Sequence, residues 1–105
     1  MAAVKIKAFV KRPDERFGHS TWISNSLAAL QKIVEGYIEA VTIEHGLVVI
    51  CNEEGRINGM EPNVNFCGID FYGPIAVVGQ KGDEFSDVPI MWSTYLTLIK
   101  PVKEG

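Results

Sequence analysis

Two cysteines, two histidines and no long apolar run limit what this chain can be. Cys51 and Cys67 form no C-x-x-C and have no histidine pair nearby, so neither a zinc cage nor a thioredoxin-like motif can be drawn. His19 and His45 lack ligand spacing to each other or to a cysteine, and no metal site is expected. There is no G-x-S-x-G elbow, no G-x-x-x-x-G-K-[ST] loop and no G-x-G-x-x-G after a strand. The common nucleophile, phosphate and dinucleotide signatures are therefore absent, and no cofactor is expected. No apolar run approaches the roughly 18 residues of a membrane span, so a membrane partner is not expected. The N-terminus lacks the apolar stretch and cleavage site of a signal peptide, which points to the cytoplasm. Internal repeats and low-complexity tracts are missing too.

What is present suits one globular core. With 105 residues and 47% hydrophobic side chains, the chain can bury enough surface for a stable fold without a disulfide or metal, and residues 1–105 read as a single domain. Both cysteines read as buried thiols; Cys51 ends the apolar run Leu47-Val48-Val49-Ile50, where a small hydrophobe fits.

Charge is unevenly placed. Residues 1–34 carry Lys5, Lys7, Lys11, Arg12, Arg16 and Lys32 against Asp14 and Glu15, whereas ten of the thirteen carboxylates fall within residues 35–87 beside only Arg56 and Lys81. Such a middle segment repels phosphate backbones, so nucleic acid is disfavoured as a partner unless the basic N-terminal strand forms its own patch. The plainer reading of the acidic stretch is a solvated face that favours solubility.

Val4 to Val10 alternates apolar with polar and stops at Lys11-Arg12-Pro13-Asp14, which predicts a strand with one wet face. Thr21-Trp22-Ile23 is a short β-prone run able to return against it. Ser24-Asn25-Ser26 offers N-cap oxygens, and Leu27, Leu30, Ile33 and Val34 form the apolar stripe of a helix over 27–35, expected to pack on the following hairpin. Gly36 is expected to close that helix with a positive φ. Residues 37–51 predict a hairpin turning at Glu44-His45-Gly46. Its second arm is apolar at five consecutive positions, as in a strand covered on both faces or on one face by a partner.

Residues 52–63 predict a structured loop in which Gly55 takes a positive φ while Asn52 and Asn63 bond the loop backbone. Residues 64–73 fit no element clearly. Pro74 to Gly79 reads as a strand. A second helix is expected with Ser86 or Asp87 as cap, Pro89 in the first turn, and Val88, Met91 or Trp92, Tyr95, Leu96 and Ile99 as its stripe, ending at Pro101. The order β-β-α-β-β-loop-β-α predicts an α+β fold, a mostly antiparallel sheet of four to five strands with two helices on one face.

The best-defined constellation is Cys51-Asn52-Glu53-Glu54-Gly55 followed by Asn63. The pattern Leu27-x-x-Leu30-Gln31-x-x-Val34-x-Gly36-Tyr37-Ile38-Glu39, Gly46-Leu47, Ile50 to Gly55, and Pro62-Asn63 resembles an uncharacterised domain family of bacteria, their phages and mobile elements. The resemblance spans about residues 26–87, with Gly73, Val77-Val78-Gly79 and Asp83-x-Phe85 also fitting. It implies a small, often free-standing protein with no assigned activity. Two departures stand out: the family's usual residue before the helix-ending glycine is another glycine, where this chain has Glu35, and its N-terminal strand is normally shorter and less basic.

Adjacent Glu53 and Glu54 point apart in a strand or turn, so no acid–base pair acting on one bond is implied. The expected function is a non-enzymatic binding protein of phage or mobile-element origin. It would engage a host protein or small ligand through loop 52–63 (Asn52, Glu53, Glu54, Gly55, Arg56, Asn63) and the neighbouring acidic surface. Two alternatives stay open: a self-associating module covering Leu47 to Cys51 with a second copy, and an enzyme of unrecorded type using Asn52, Glu53 and Asn63.

Overall fold

A computed structural model describes residues 4–103; residues 1–3 and 104–105, the ends of the expected domain 1–105, lie outside the described residues. The chain runs β1 (Lys5–Lys11), β2 (His19–Ser24), α1 (Leu27–Val34), β3 (Ile38–Glu44), β4 (Leu47–Asn52), β5 (Pro62–Phe66), β6 (Ile69–Tyr72), β7 (Ile75–Lys81), β8 (Glu84–Ser86), α2 (Trp92–Leu98) and β9 (Ile99–Lys100). The fold is α+β, and every strand pair is antiparallel. The larger sheet has the order β2-β1-β7-β4-β3, and a smaller sheet the order β6-β5-β9. Strands β1 and β8 follow one another along one edge of β7, with β4 on the other.

Strand periodicity divides the core in two. Ile6, Ala8 and Val10 of β1, Val48 and Ile50 of β4, and Ala76 and Val78 of β7 gather beneath Leu30 and Val34 of α1. The intervening residues Phe9, Leu47, Val49, Cys51, Ile75 and Val77 face the opposite way, onto Val64, Phe66 and Phe71 of the small sheet and Tyr95 of α2. Alternate side chains of a strand lie on opposite faces, so the continuous apolar run of β4 is the mark of a strand sandwiched between two layers. Both layers come from this chain, which removes the reason for covering Leu47 to Cys51 with a second copy.

The helices therefore lie on opposite faces of the main sheet, against the expectation that they share one. The stripe of α1 is also narrower than expected: Leu30 and Val34 are buried and Ile33 partly so, but Leu27 is 60% exposed. Ser26 caps the helix, its Oγ accepting from Ala29 N at 3.2 Å. At the other end the left-handed position is Glu35 (φ 63°) rather than Gly36, and Gly36 N donates to Gln31 O at 3.1 Å. This is the 6→1 bond of a Schellman motif. Gly36 serves a different need, since a Cβ there would lie 2.6 Å from Asn52 Nδ2.

Helix α2 starts later than its sequence signals suggest and has no side-chain cap. Asp87 is engaged elsewhere, its Oδ1 accepting from Lys7 N at 2.8 Å, while Val88 N donates to Lys7 O at 2.9 Å. Asp87 and Val88 are therefore held against β1 before the chain turns into the helix. Of the expected stripe, Tyr95 is fully buried whereas Met91 is 71% exposed. Tyr95 Oη donates to Phe17 O at 2.7 Å, and the Phe9 and Trp92 rings meet edge to face at 5.2 Å.

The unassigned stretch 64–73 is the β5–β6 hairpin. It turns on Cys67 (φ 52°) and Gly68 (φ 90°), two positive-φ residues in succession as a tight two-residue hairpin turn needs. Asn65 Oδ1 accepts from Gly68 N at 3.1 Å to hold the turn. Cys67 is consequently exposed rather than buried, while Cys51 is buried as expected. Among the described residues, no helix is long and apolar enough to cross a membrane.

Candidate functional site

Loop 52–63 is anchored at both ends by asparagines, though to other partners than a self-contained loop would use. Asn52 Oδ1 accepts from Glu54 N at 2.8 Å, an Asx turn that starts the loop. Its Nδ2 donates outward to Val34 O at 3.0 Å and Glu35 O at 3.3 Å, capping the carbonyl end of α1. The loop then winds through backbone bonds from Asn58 N to Glu54 O at 2.8 Å and from Met60 N to Gly55 O at 2.9 Å. Gly55 does not adopt the expected positive φ; Gly59 (φ 71°) does. Gly55 is required by proximity, because a Cβ there would stand 2.7 Å from Tyr72 O.

At the far end Asn63 bonds the flanking strands. Its Nδ2 donates to Lys11 O and to Gly73 O, each at 2.8 Å, and its Oδ1 accepts from Lys11 Nζ at 2.8 Å. Lys11 is only 4% exposed. Burial pulls its ammonium below the ordinary lysine value, with the negative charges of Glu15 and Asp14 opposing the shift. Alternation along β1 places position 11 on the face of Lys5, Lys7 and Phe9, which the sequence predicts to be wet; the structure instead buries that face at Phe9 and Lys11.

Four of the six expected residues, Asn52, Glu53, Gly55 and Arg56, line one cleft of about 160 Å³ between the β3–β4 hairpin and β6. Glu39 on β3 and Asp70 on β6 add carboxylates to its wall, and the guanidinium of Arg56 lies over the Tyr72 ring, 5.5 Å from its centre. The floor is Cys51, whose thiol is pushed up to about 11 by burial and then by the charge of Glu39. It stays protonated at neutral pH and is a poor nucleophile there. Glu54 is exposed outside the lining, and Asn63 belongs to a different cavity beside Lys11. The structure thus does not bring Asn52, Glu53 and Asn63 to one cleft. Nothing local in the sequence marks Glu39 and Asp70, strand residues of separate hairpins, as neighbours in one cleft.

No curated protein and no solved structure matches this chain. A family model does, and its match is wider than the 26–87 motif, taking in β1, β2 and α2. The family is described as a domain of unknown function, DUF3846, its model matches residues 6–99, and the chain belongs to it.

Proposed function

We propose that this chain is a non-enzymatic binding protein whose loop 52–63 and neighbouring acidic surface hold a cationic group of a host protein or small ligand. The observation that carries this reading is the cleft wall, where Glu39 and Glu53, with Asp70 whose Oδ1 already accepts from Asn65 Nδ2 at 2.7 Å and Lys103 N at 3.1 Å, stand against Arg56 as the one lining base. At about 160 Å³ the cleft is smaller than the roughly 300–1,000 Å³ typical of small-molecule sites, so it suits one projecting side chain or ammonium head rather than a whole ligand. The resemblance to a phage and mobile-element family favours a host protein as the source of that group.

The test is a titration with a short arginine-containing peptide, followed by backbone amide shifts, with a glutamate-containing peptide as control. The arginine peptide should shift the amides around Glu39, Glu53 and Asp70. The Glu39→Gln, Glu53→Gln double variant should stay folded and bind about tenfold or more weakly through lost charge complementarity. Undiminished binding in that folded variant would remove the acidic cleft from the function.

A further inference from the structure

We propose that the cavity of about 310 Å³ beside Lys11 is a second binding site, for a small carboxylate carried on an apolar body. Its polar side is cationic: Lys11, Arg16 and Lys100 all line it. Its remaining wall is largely apolar, with Phe17 and Leu96 partly exposed at the surface and Pro101 closing one side. The volume reaches the lower end of the range for small-molecule sites, about 300 Å³, which the acidic cleft does not.

Lys11 is the centre of the argument. A buried ammonium requires partners, and its three donors meet two neutral acceptors among the described residues, Asn63 Oδ1 at 2.8 Å and Arg12 O at 3.4 Å. Asn63 is held in that orientation by its own two donated bonds, to Lys11 O and Gly73 O. Those two bonds use two of the three donors, and Lys11 lines the cavity where an acceptor would meet the third. Among the described residues no carboxylate lies within ion-pair distance of Lys11, Arg16 or Lys100. The nearby Glu15 is occupied, accepting from Arg12 N at 2.9 Å and facing His19 Nδ1 at 2.8 Å.

Three cations line one cavity, with Glu15 engaged elsewhere and Asp14 acting on Lys11 only from beyond ion-pair distance, and their field favours an anion. Arg16 gives the choice of anion its shape. Its guanidinium packs on the Phe17 ring at 5.1 Å, and a planar fork of N–H donors matches the two oxygens of a carboxylate. The apolar wall then takes the hydrocarbon part, whose transfer from water adds favourable free energy. A bare inorganic anion would leave that wall uncovered.

Phenylacetate is a suitable probe, titrated into the whole chain and followed by amide shifts, with inorganic phosphate and phenethylamine as controls. Phenylacetate should shift the amides of Lys11, Arg16, Asn63 and Lys100, and neither control should reproduce the pattern. Arg16→Gln and Lys100→Gln alter exposed side chains, so both variants should fold; each is expected to weaken phenylacetate binding by about fivefold or more. Lys11→Met, which keeps the aliphatic stem, should abolish binding if it folds. Shifts confined to the carboxylate-lined cleft, an equal response to phosphate, or unaltered affinity in both exposed variants would each overturn the proposal. Because the two sites select opposite charges, failure of one leaves the other standing.

Discussion

Asn52 Nδ2 lies 3.0 Å from the carbonyl oxygen of Val34, so the residue that opens the loop also caps the end of α1. Helix carbonyls at a C-terminus have no partner within the helix, and this amide satisfies one across eighteen residues of sequence. Gly36 lets it approach, since any side chain there would collide with Nδ2. Loop and helix end are thus tied at one residue, and Asn52 is also part of the acidic cleft's lining.

Leu30 and Leu27 sit on the same helix with opposite fates, the first 2% and the second 60% exposed. Leu30→Ala should cost about 2–5 kcal/mol in chemical denaturation, as deletions in a packed core do. Leu27→Ala should change stability by less than about 0.5 kcal/mol. Equal losses at the two positions would contradict the observed rotation of the helix.

Glu35 occupies a left-handed conformation at φ 63°, where a Cβ crowds the following carbonyl and glycine does not. Glu35→Gly should therefore stabilise the fold by roughly 1 kcal/mol, even though it adds no contact. The thermal midpoint is the measurement, and a decrease would mean the glutamate side chain makes up for the strain.

Gly55 is needed for space and not for its φ. Gly55→Val would press against Tyr72 O, and overpacking of this kind costs about 1–3 kcal/mol. Glu53→Gln and Glu54→Gln, both at exposed positions, should each stay within about 0.5 kcal/mol of the parent. Separation of the two classes in urea unfolding is the expected result.

Two buried acids set the alkaline limit. Tyr95 is pushed up to about 12 by burial and then by the charge of Glu15, and Cys51 to about 11 by burial and then by Glu39. Both are neutral in the folded state at pH values where the unfolded chain ionises. Their contribution is complete below the ordinary values of 9.0 for the thiol and 10.0 for the phenol, and is lost as pH rises through about 11 and about 12. Unfolding free energy should fall over that window, and phenolate absorbance should show a late component near pH 12 that Tyr95→Phe removes.

Much of the fold is written in local spacing. The unbroken apolar run of β4 and the Ser26 cap of α1 follow from neighbours a few residues apart, and the structure carries both. The wet face expected of β1 survives only at Lys5 and Lys7, because Phe9 and Lys11 are buried under the second layer, and the α1 stripe loses Leu27 to solvent. The Cys67-Gly68 turn was hidden because cysteine rarely marks a positive φ, and the start of α2 because Asp87 was spent on β1, eighty residues away. The candidate site was legible only on the loop itself. Asn52 and Glu53 announced a turn, but that Glu39 and Asp70 face them, or that Asn63 turns away to hold Lys11, depends on which strands meet. Periodicity records the face a side chain takes within its own element. The partner it finds there is decided when separate elements pack and every buried polar group must be satisfied at once.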